Sequence, residues 1–435
     1  MSSTGYTQEL TDKPDVSAKY SYFVLAILML TYTGHSIDRA IISTVMPAIQ
    51  QEFSLSDSQL GLIAGTIYAI ANALCTIPIG YLADRTNRKN LLSFCAFIWS
   101  GMTVLGGVAG SYVGIVLTRA GVGGAEAAGT PVGTSLISDY FPPEKRASAI
   151  SMFYVSASLG AFLALAVGGW IVAEYGWRAA MIAAGIPGMI LAVISFFVIR
   201  EPRRTGLPAN AKDAPTLLET MKFIFTQKSL MPLMFGGIAV NFVSSATGGW
   251  MPTYYVRSFG LSMAEIGPLL GTVKLFIGGA GGVLAGFLCD RLVRRDRRWP
   301  VWILAITQFT CVPLLLCSLL VSDHMLSVFL YGLSYGLGMT FTGPLYSSVQ
   351  SLVGTRMRAT AVALLVMGIS LLGFGFGAQA TGLVSDMLKD NYGTESLRYA
   401  IMVLSLVNVL TATLFIISSR KFMQAQDRVA AMAAR

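Results

Sequence analysis

Residues 80–89 read Gly-Tyr-Leu-Ala-Asp-Arg-Thr-Asn-Arg-Lys, and residues 286–295 read Gly-Phe-Leu-Cys-Asp-Arg-Leu-Val-Arg-Arg. Their aspartates, Asp84 and Asp290, stand 206 residues apart, and each copy follows the second apolar stretch of its half of the chain. A weaker echo pairs Arg146-Ala-Ser-Ala149 with Arg358-Ala-Thr-Ala361 before the fifth stretch of each half. Repetition at this spacing makes the chain a duplicated six-helix unit.

Of the 435 residues, 54% are hydrophobic and only 12% charged, and the mean hydropathy is +0.64. Soluble chains carry about 25% charged residues. The shortfall belongs to surface that faces lipid, so the chain is an integral membrane protein. A spanning helix needs roughly 20 mostly apolar residues, and twelve stretches qualify, near 22–48, 57–83, 89–109, 111–140, 146–173 and 179–199, then 229–256, 263–289, 299–321, 325–353, 357–386 and 397–418. Ser56 with Gln59 three residues on reads as a capping box for the second stretch, and Pro142-Pro143 closes the fourth.

The net charge of +9 follows topology. With the N-terminal tail placed inside, twenty-four Lys and Arg fall on that side and four outside, Arg178, Arg257, Lys389 and Arg398; three more, Arg39, Arg119 and Lys274, lie within spans. The positive-inside rule then puts both termini in the cytoplasm. The expected organisation is a tail over 1–19, a six-helix bundle over 20–199, a cytoplasmic linker over 200–228, a second bundle over 229–419 and a tail over 420–435. Thr216 to Gln227 in the linker is either an interfacial helix or a solvated connector. No signal peptide is expected at the N-terminus. Cys75, Cys95, Cys289, Cys311 and Cys317 lack metal-ligand spacing and are expected as free, packed thiols.

The pattern G-x-x-x-D-R-x-x-R-[RK], present in both halves, resembles the signature of the major facilitator superfamily. The resemblance implies an all-α membrane protein of twelve transmembrane helices in two pseudo-symmetric bundles. It also implies a conformational latch at Gly80, Asp84, Arg85, Arg88 and Asp139, with Gly286, Asp290, Arg291 and Arg294 in the second half. Physically, Asp84 and Asp290 end helices where a neighbouring helix N-terminus or an arginine can pair with them. Arg119-Ala-Gly-Val-Gly123-Gly-Ala-Glu126-Ala127 is similar to the arginine-glycine motif that lies near the proton path in proton-coupled members. Together with Asp38-Arg39, Ser138-Asp139-Tyr140-Phe141-Pro142 and Arg200-Glu201-Pro202-Arg203, it resembles the spinster-type lipid transporters of bacteria. That branch commonly has Asn-Tyr ahead of Asp-Arg, where this chain has Gly34-His35-Ser36-Ile37, and a bacterial organic-anion branch shares several of these elements.

A charge at a helix centre costs at least about 2.5–3.5 kcal/mol, so each needs a partner, a cavity or a proton. At ~1.5 Å per residue Asp38 lies ~24 Å along the first helix, and Arg119 ~12 Å from the outer end of the fourth. In helices ~36 Å long these depths coincide, which predicts an Asp38–Arg119 pair. Glu126, seven residues beyond Arg119, shares its helix face. A buried carboxyl without full neutralisation favours its protonated form, making Glu126 the first candidate for proton coupling and Asp38 the second. The alternative is a static Arg119–acid pair holding the first and fourth helices together. Lys274, ~18 Å into the eighth helix, has no acid of its own half at that depth and, opposite Arg119, suggests an anion-binding pole at which both contact the substrate, the alternatives being snorkelling or a pair with Asp38 or Glu126 across the interface; Arg39 is a further candidate, or pairs locally. Asn241, Gln308, Tyr331, Tyr335, Thr340, Thr342 and Gln379 are candidates for lining a cavity between the halves, with Asn241 and Tyr335 as substrate contacts. His35, three residues before Asp38, is read as polar packing, with a pH sensor as the alternative.

These features predict a secondary transporter working by alternating access, proton-coupled, for an amphipathic or anionic substrate, and the spinster-type resemblance implies a lipid such as a sphingolipid or lysophospholipid. The alternative is a proton-coupled symporter of small organic anions. A receptor or channel fits less well, and neither a Walker loop nor a nucleophile–base cluster points to an enzyme. No cofactor is expected, the proton being the coupling ion, and no metal. The expected partners are the bilayer and the substrate, not nucleic acid, with the protein a monomer in the bacterial inner membrane.

Overall fold

The computed structural model describes residues 17–202, 217–354 and 357–433. The first half contains α1 (Ala18–Phe53), α2 (Asp57–Arg85), α3 (Arg88–Gly107), α4 (Tyr112–Glu126), α5 (Gly129–Tyr140) and α6 (Pro143–Val198). After α7 (Leu217–Thr226), the second contains α8 (Leu230–Gly248), α9 (Met251–Phe259), α10 (Met263–Val293), α11 (Trp299–Leu320), α12 (His324–Gly338), α13 (Thr342–Ser351), α14 (Arg358–Gly368), α15 (Phe376–Tyr392), α16 (Ser396–Ser405) and α17 (Val407–Ala433).

The local signals act as their chemistry requires. Ser56 and Gln59 form the reciprocal capping box at the start of α2, and Pro143 opens α6, where its missing N–H costs nothing. Within α6 the backbone breaks at Gly176, whose φ of 83° only glycine adopts without strain. Two expected spans thus run on from one another across that break. Among the described residues, eight helical stretches are long and apolar enough to cross a membrane by length and composition. One is the whole of Glu144–Val198, and Thr360–Ala431 likewise joins the last two expected spans. The expected spans near 22–48 and 111–140 fall outside those eight. The first is α1, with His35, Asp38 and Arg39 in its middle, and the second divides at Ala127 and Ala128 into α4 and α5.

Most of the expected linker, 203–216, and most of the N-terminal tail, 1–16, lie outside the described residues, and so does Arg203. Within the expected linker Leu217–Thr226 is helical, as α7. The stretch read as a C-terminal tail continues α17 as helix to Ala433. All five cysteines are free.

Each half has its own apolar core, around Trp99 and Tyr140 in the first and Leu345 and Phe415 in the second. A third core joins them: Ile41, Met46, Leu165 and Trp177 pack with Trp250, Tyr254, Ile266 and Leu270. It gathers towards the face at the α1–α2 turn, where α6 meets α10 and α2 meets α15. At the opposite ends of α2 and α10, Gly80 and Gly286 look into open space. Many large apolar side chains, among them Leu74, Ile77, Phe94, Leu117 and Phe287, are exposed, the arrangement expected of lipid-facing surface.

Candidate functional site

α1 carries Tyr32, His35, Asp38 and Arg39 through the interior of the first half. Asp38 is fully buried, and its Oδ2 accepts a hydrogen bond of 2.8 Å from Ser100 Oγ of α3. Gly188 of α6 makes room for this, since any side chain there would strike the Ser100 hydroxyl. Arg119 of α4 is buried beside them, but the expected carboxyl–guanidinium pair does not form. Nη1 of Arg119 donates instead to the main-chain oxygen of Asp38, at 3.2 Å. Depth arithmetic brought the two residues together and could not choose which oxygen receives the bond.

Glu126, at the end of α4, accepts the Tyr68 hydroxyl at 2.5 Å on Oε2, and His35 Nε2 stands 3.4 Å from the same oxygen. Tyr68 follows a π-type turn at Leu62–Thr66 in α2; such turns recur at functional sites. Its backbone lies so close to Gly123 that no Cβ fits between them. The glycine-rich stretch before Glu126 is thus what lets α2 approach and deliver the hydroxyl. The guanidinium carbons of Arg39 and Arg119 lie 5.4 and 5.6 Å from the Tyr68 ring centre, and Arg39 is also 4.6 Å from the Phe374 ring of the second half. Arg39 therefore does not pair with Asp38; it sits where the halves meet, against two aromatic faces.

The cluster is incompletely satisfied. Asp38 Oδ1, Glu126 Oε1, Arg119 Nε and His35 Nδ1 are buried without a hydrogen-bond partner among the described residues. Two acids and two cations share the interior with no carboxyl–guanidinium contact among the described residues, so a proton can be gained or lost without breaking a direct ion pair. Sequence reasoning assigned His35 to packing and passed over Tyr68. Nothing marked Tyr68 apart from the other aromatics, whereas His35 stands three residues before Asp38.

The second-half candidates are dispersed. Lys274 lies half-buried on a π-type turn at Val273–Gly278 in α10, with no hydrogen bond or ion pair among the described residues. Asn241 is buried and spends its amide on Gly237 O of its own helix, at 2.9 Å, and Thr340 bonds Leu337 O one turn back. Thr342 is exposed. Tyr335 lines a cavity with Gln308 and Tyr331, inside the second bundle and not between the halves.

The latch residues occupy the ends of α2 and α10 away from the α1–α2 turn. Arg88 donates to Asp139 at 2.6 Å and to Glu201 at 2.7 Å, within the first half. Arg85 lies over the Tyr81 ring. Asp290, Arg291 and Arg294 make no hydrogen bond or ion pair among the described residues. Among the described residues the charged bonds that join the halves lie at the other face, and they went unnoticed in the sequence. Arg257 grips Asp57 with both terminal nitrogens, at 2.9 and 2.5 Å. Gln50 and Ser385 also donate to that carboxylate. Asp386 accepts from the N–H groups of Asp57 and Ser58 at 2.9 and 2.8 Å, capping α2 from across the boundary. A planar fork on a carboxylate and an acid at a helix N-terminus are strong, directional contacts. The one available signal was that Arg257 is among the few cations of the poorly charged face.

The family model of the Major Facilitator Superfamily matches residues 28–378. The chain belongs to that superfamily. It is thus a transporter, not an enzyme. It is 28% identical to an MFS-type efflux pump of Mycolicibacterium smegmatis over 88% of this chain and 89% of the pump. It is also 28% identical to the sphingosine-1-phosphate transporter SPNS2 of Danio rerio, over 91% and 83% of the two chains. A probable galactarate/D-glucarate transporter of Bacillus subtilis, GudP, is 25% identical over 84% and 78%. The crystal structure of a bacterial homologue of the human lysosomal transporter spinster, inward-facing and unoccupied, aligns with a TM-score of 0.85 at 26% identity, covering 94% of this transporter and 99% of that chain. The spinster-type resemblance in the motifs thus extends over almost the whole transporter.

Proposed function

We propose that this transporter is a proton-coupled secondary carrier that works by alternating access and moves an amphipathic or anionic cargo, a lipid such as a sphingolipid or lysophospholipid. The observation that carries the reading is the buried group of His35, Asp38, Tyr68, Arg119 and Glu126, whose leftover donors and acceptors serve no packing purpose. An unpaired ionisable group at membrane depth is costly and typically functional. A proton on Glu126 or Asp38 changes the charge facing Arg119 and Arg39, and Arg39 touches Phe374 across the boundary between halves. Proton binding in one half thereby acts on the contact with the other.

In this reading the chain has twelve spans with both termini cytoplasmic, works as a monomer in a bacterial inner membrane, and needs no cofactor beyond the proton. The closed α1–α2 face is then the outer one, consistent with the likeness to an inward-facing relative. Lys274 and Arg39 serve as cationic poles for the cargo. Those same cations, with the likeness to a galactarate/D-glucarate transporter, support a second reading, symport of small organic anions.

Reconstitution into proteoliposomes separates these. Uptake of a labelled lysophospholipid should be saturable, show counterflow and depend on a pH gradient; a conductance at channel rates would refute a carrier. Uptake of galactarate but of no lipid would select the second reading.

A further inference from the structure

Inside the second bundle, α8, α11, α12 and α17 enclose a cavity of about 40 Å³, room for about three waters. Three of its lining side chains are almost wholly buried and lack a hydrogen-bond partner among the described residues: Gln308 Nε2, Tyr331 Oη and Asn408 Oδ1, at exposures of 2%, 2% and 4%. The wall between α11 and α12 is held by a reciprocal pair, Cys311 Sγ to Ser334 O at 3.2 Å and Ser334 Oγ to Cys311 O at 3.1 Å. Three polar groups from three helices therefore converge on a space already built.

No charged side chain lines the cavity, so an ion entering it would lose its hydration without compensation. A hydrocarbon end would leave all three groups unsatisfied. A hydroxyl, which donates once and accepts twice, answers a carboxamide N–H, a carboxamide oxygen and a phenol together. Tyr335 and Met339, also in the lining, pack on Gly278, four residues after Lys274 on the same π-type turn. We propose that this chamber is a binding site for the uncharged, hydroxyl-bearing end of the cargo, filled by water when empty, with the anionic part held at the Lys274 side. The proposal rests on the transport reading above and narrows its substrate class to anions that also carry hydroxyl groups.

The test compares probes that differ only in hydroxyl groups, bound to the full chain in lipid nanodiscs. Oleoyl lysophosphatidylglycerol is set against the same lipid with a propyl group in place of the glycerol head, and gluconate against hexanoate. In at least one pair the hydroxyl-bearing probe should bind about tenfold or more tightly, and Gln308→Leu and Asn408→Leu should erase that preference by weakening the hydroxyl-bearing probe. Because these amides have no protein partner to lose, both variants should melt within a few degrees of the wild type; Tyr331→Phe is a milder third variant. A preference in the gluconate pair alone removes the lipid reading and keeps the chamber. Equal binding within both pairs, no binding of any probe, or a preference that survives all three substitutions overturns the proposal.

Discussion

Glu126 Oε2 receives the Tyr68 hydroxyl at 2.5 Å and faces His35 at 3.4 Å, so one carboxyl oxygen is claimed from two sides while the other has no partner. Tyr68→Phe removes only the donor and leaves the ring between Arg39 and Arg119. A hydrogen bond to a charged group contributes about 1.5–3 kcal/mol. The expected outcome is a drop of tenfold or more in pH-gradient-driven uptake with counterflow retained, read in the same proteoliposomes. An equal loss of both activities would assign Tyr68 to the cargo path or to folding. At this scale the sequence was only partly readable. Depth and helix phase brought Asp38, Arg119 and Glu126 into one neighbourhood, because charges in lipid are scarce enough to stand out. The phenol of Tyr68 did not stand out, since an aromatic among apolar neighbours looks the same whether it packs or donates.

At the scale of the helix, the approach of α2 to α4 depends on Gly123 lacking a side chain, with the backbone of Tyr68 against it. Gly123→Ala should therefore lower the melting temperature, at an overpacking cost of about 1–3 kcal/mol, and should uncouple uptake as α2 withdraws its hydroxyl. Gly80→Ala is the matched control. Gly80 faces open space on the same helix, and alanine is intrinsically better than glycine in a helix by up to about 1 kcal/mol, so melting should hold or rise. Unchanged melting in Gly123→Ala would show that the contact is not tight in solution. Helix limits were well read where a cap or proline states them, as at Ser56 and Pro143. They were less so at Ala127, where the chain turns inside an expected span without a polar loop to mark the change.

Across the whole molecule, the repeat of Gly80–Lys89 at Gly286–Arg295 exposed the two halves, yet the bonds joining them stayed hidden. Asp57 and Arg257 are 200 residues apart, and no local pattern tells an arginine in a short loop whether it faces water or another bundle. The motif residues lie at the open ends of α2 and α10, and Asp57, Arg257 and Asp386 hold the closed face. Arg257→Gln should raise the ratio of molecules open at the α1–α2 face by at least about tenfold, seen as longer spin-label distances between the α1–α2 and α15–α16 turns; unchanged distances would leave closure to the apolar contacts alone. The proposal that a proton drives this bundle is tested most directly by comparing pH-gradient-driven uptake with counterflow in Glu126→Gln and Asp38→Asn. The gradient should cease to drive net uptake in at least one variant while counterflow continues. Gradient-driven uptake at wild-type rates in both would contradict the assignment of the buried cluster to coupling.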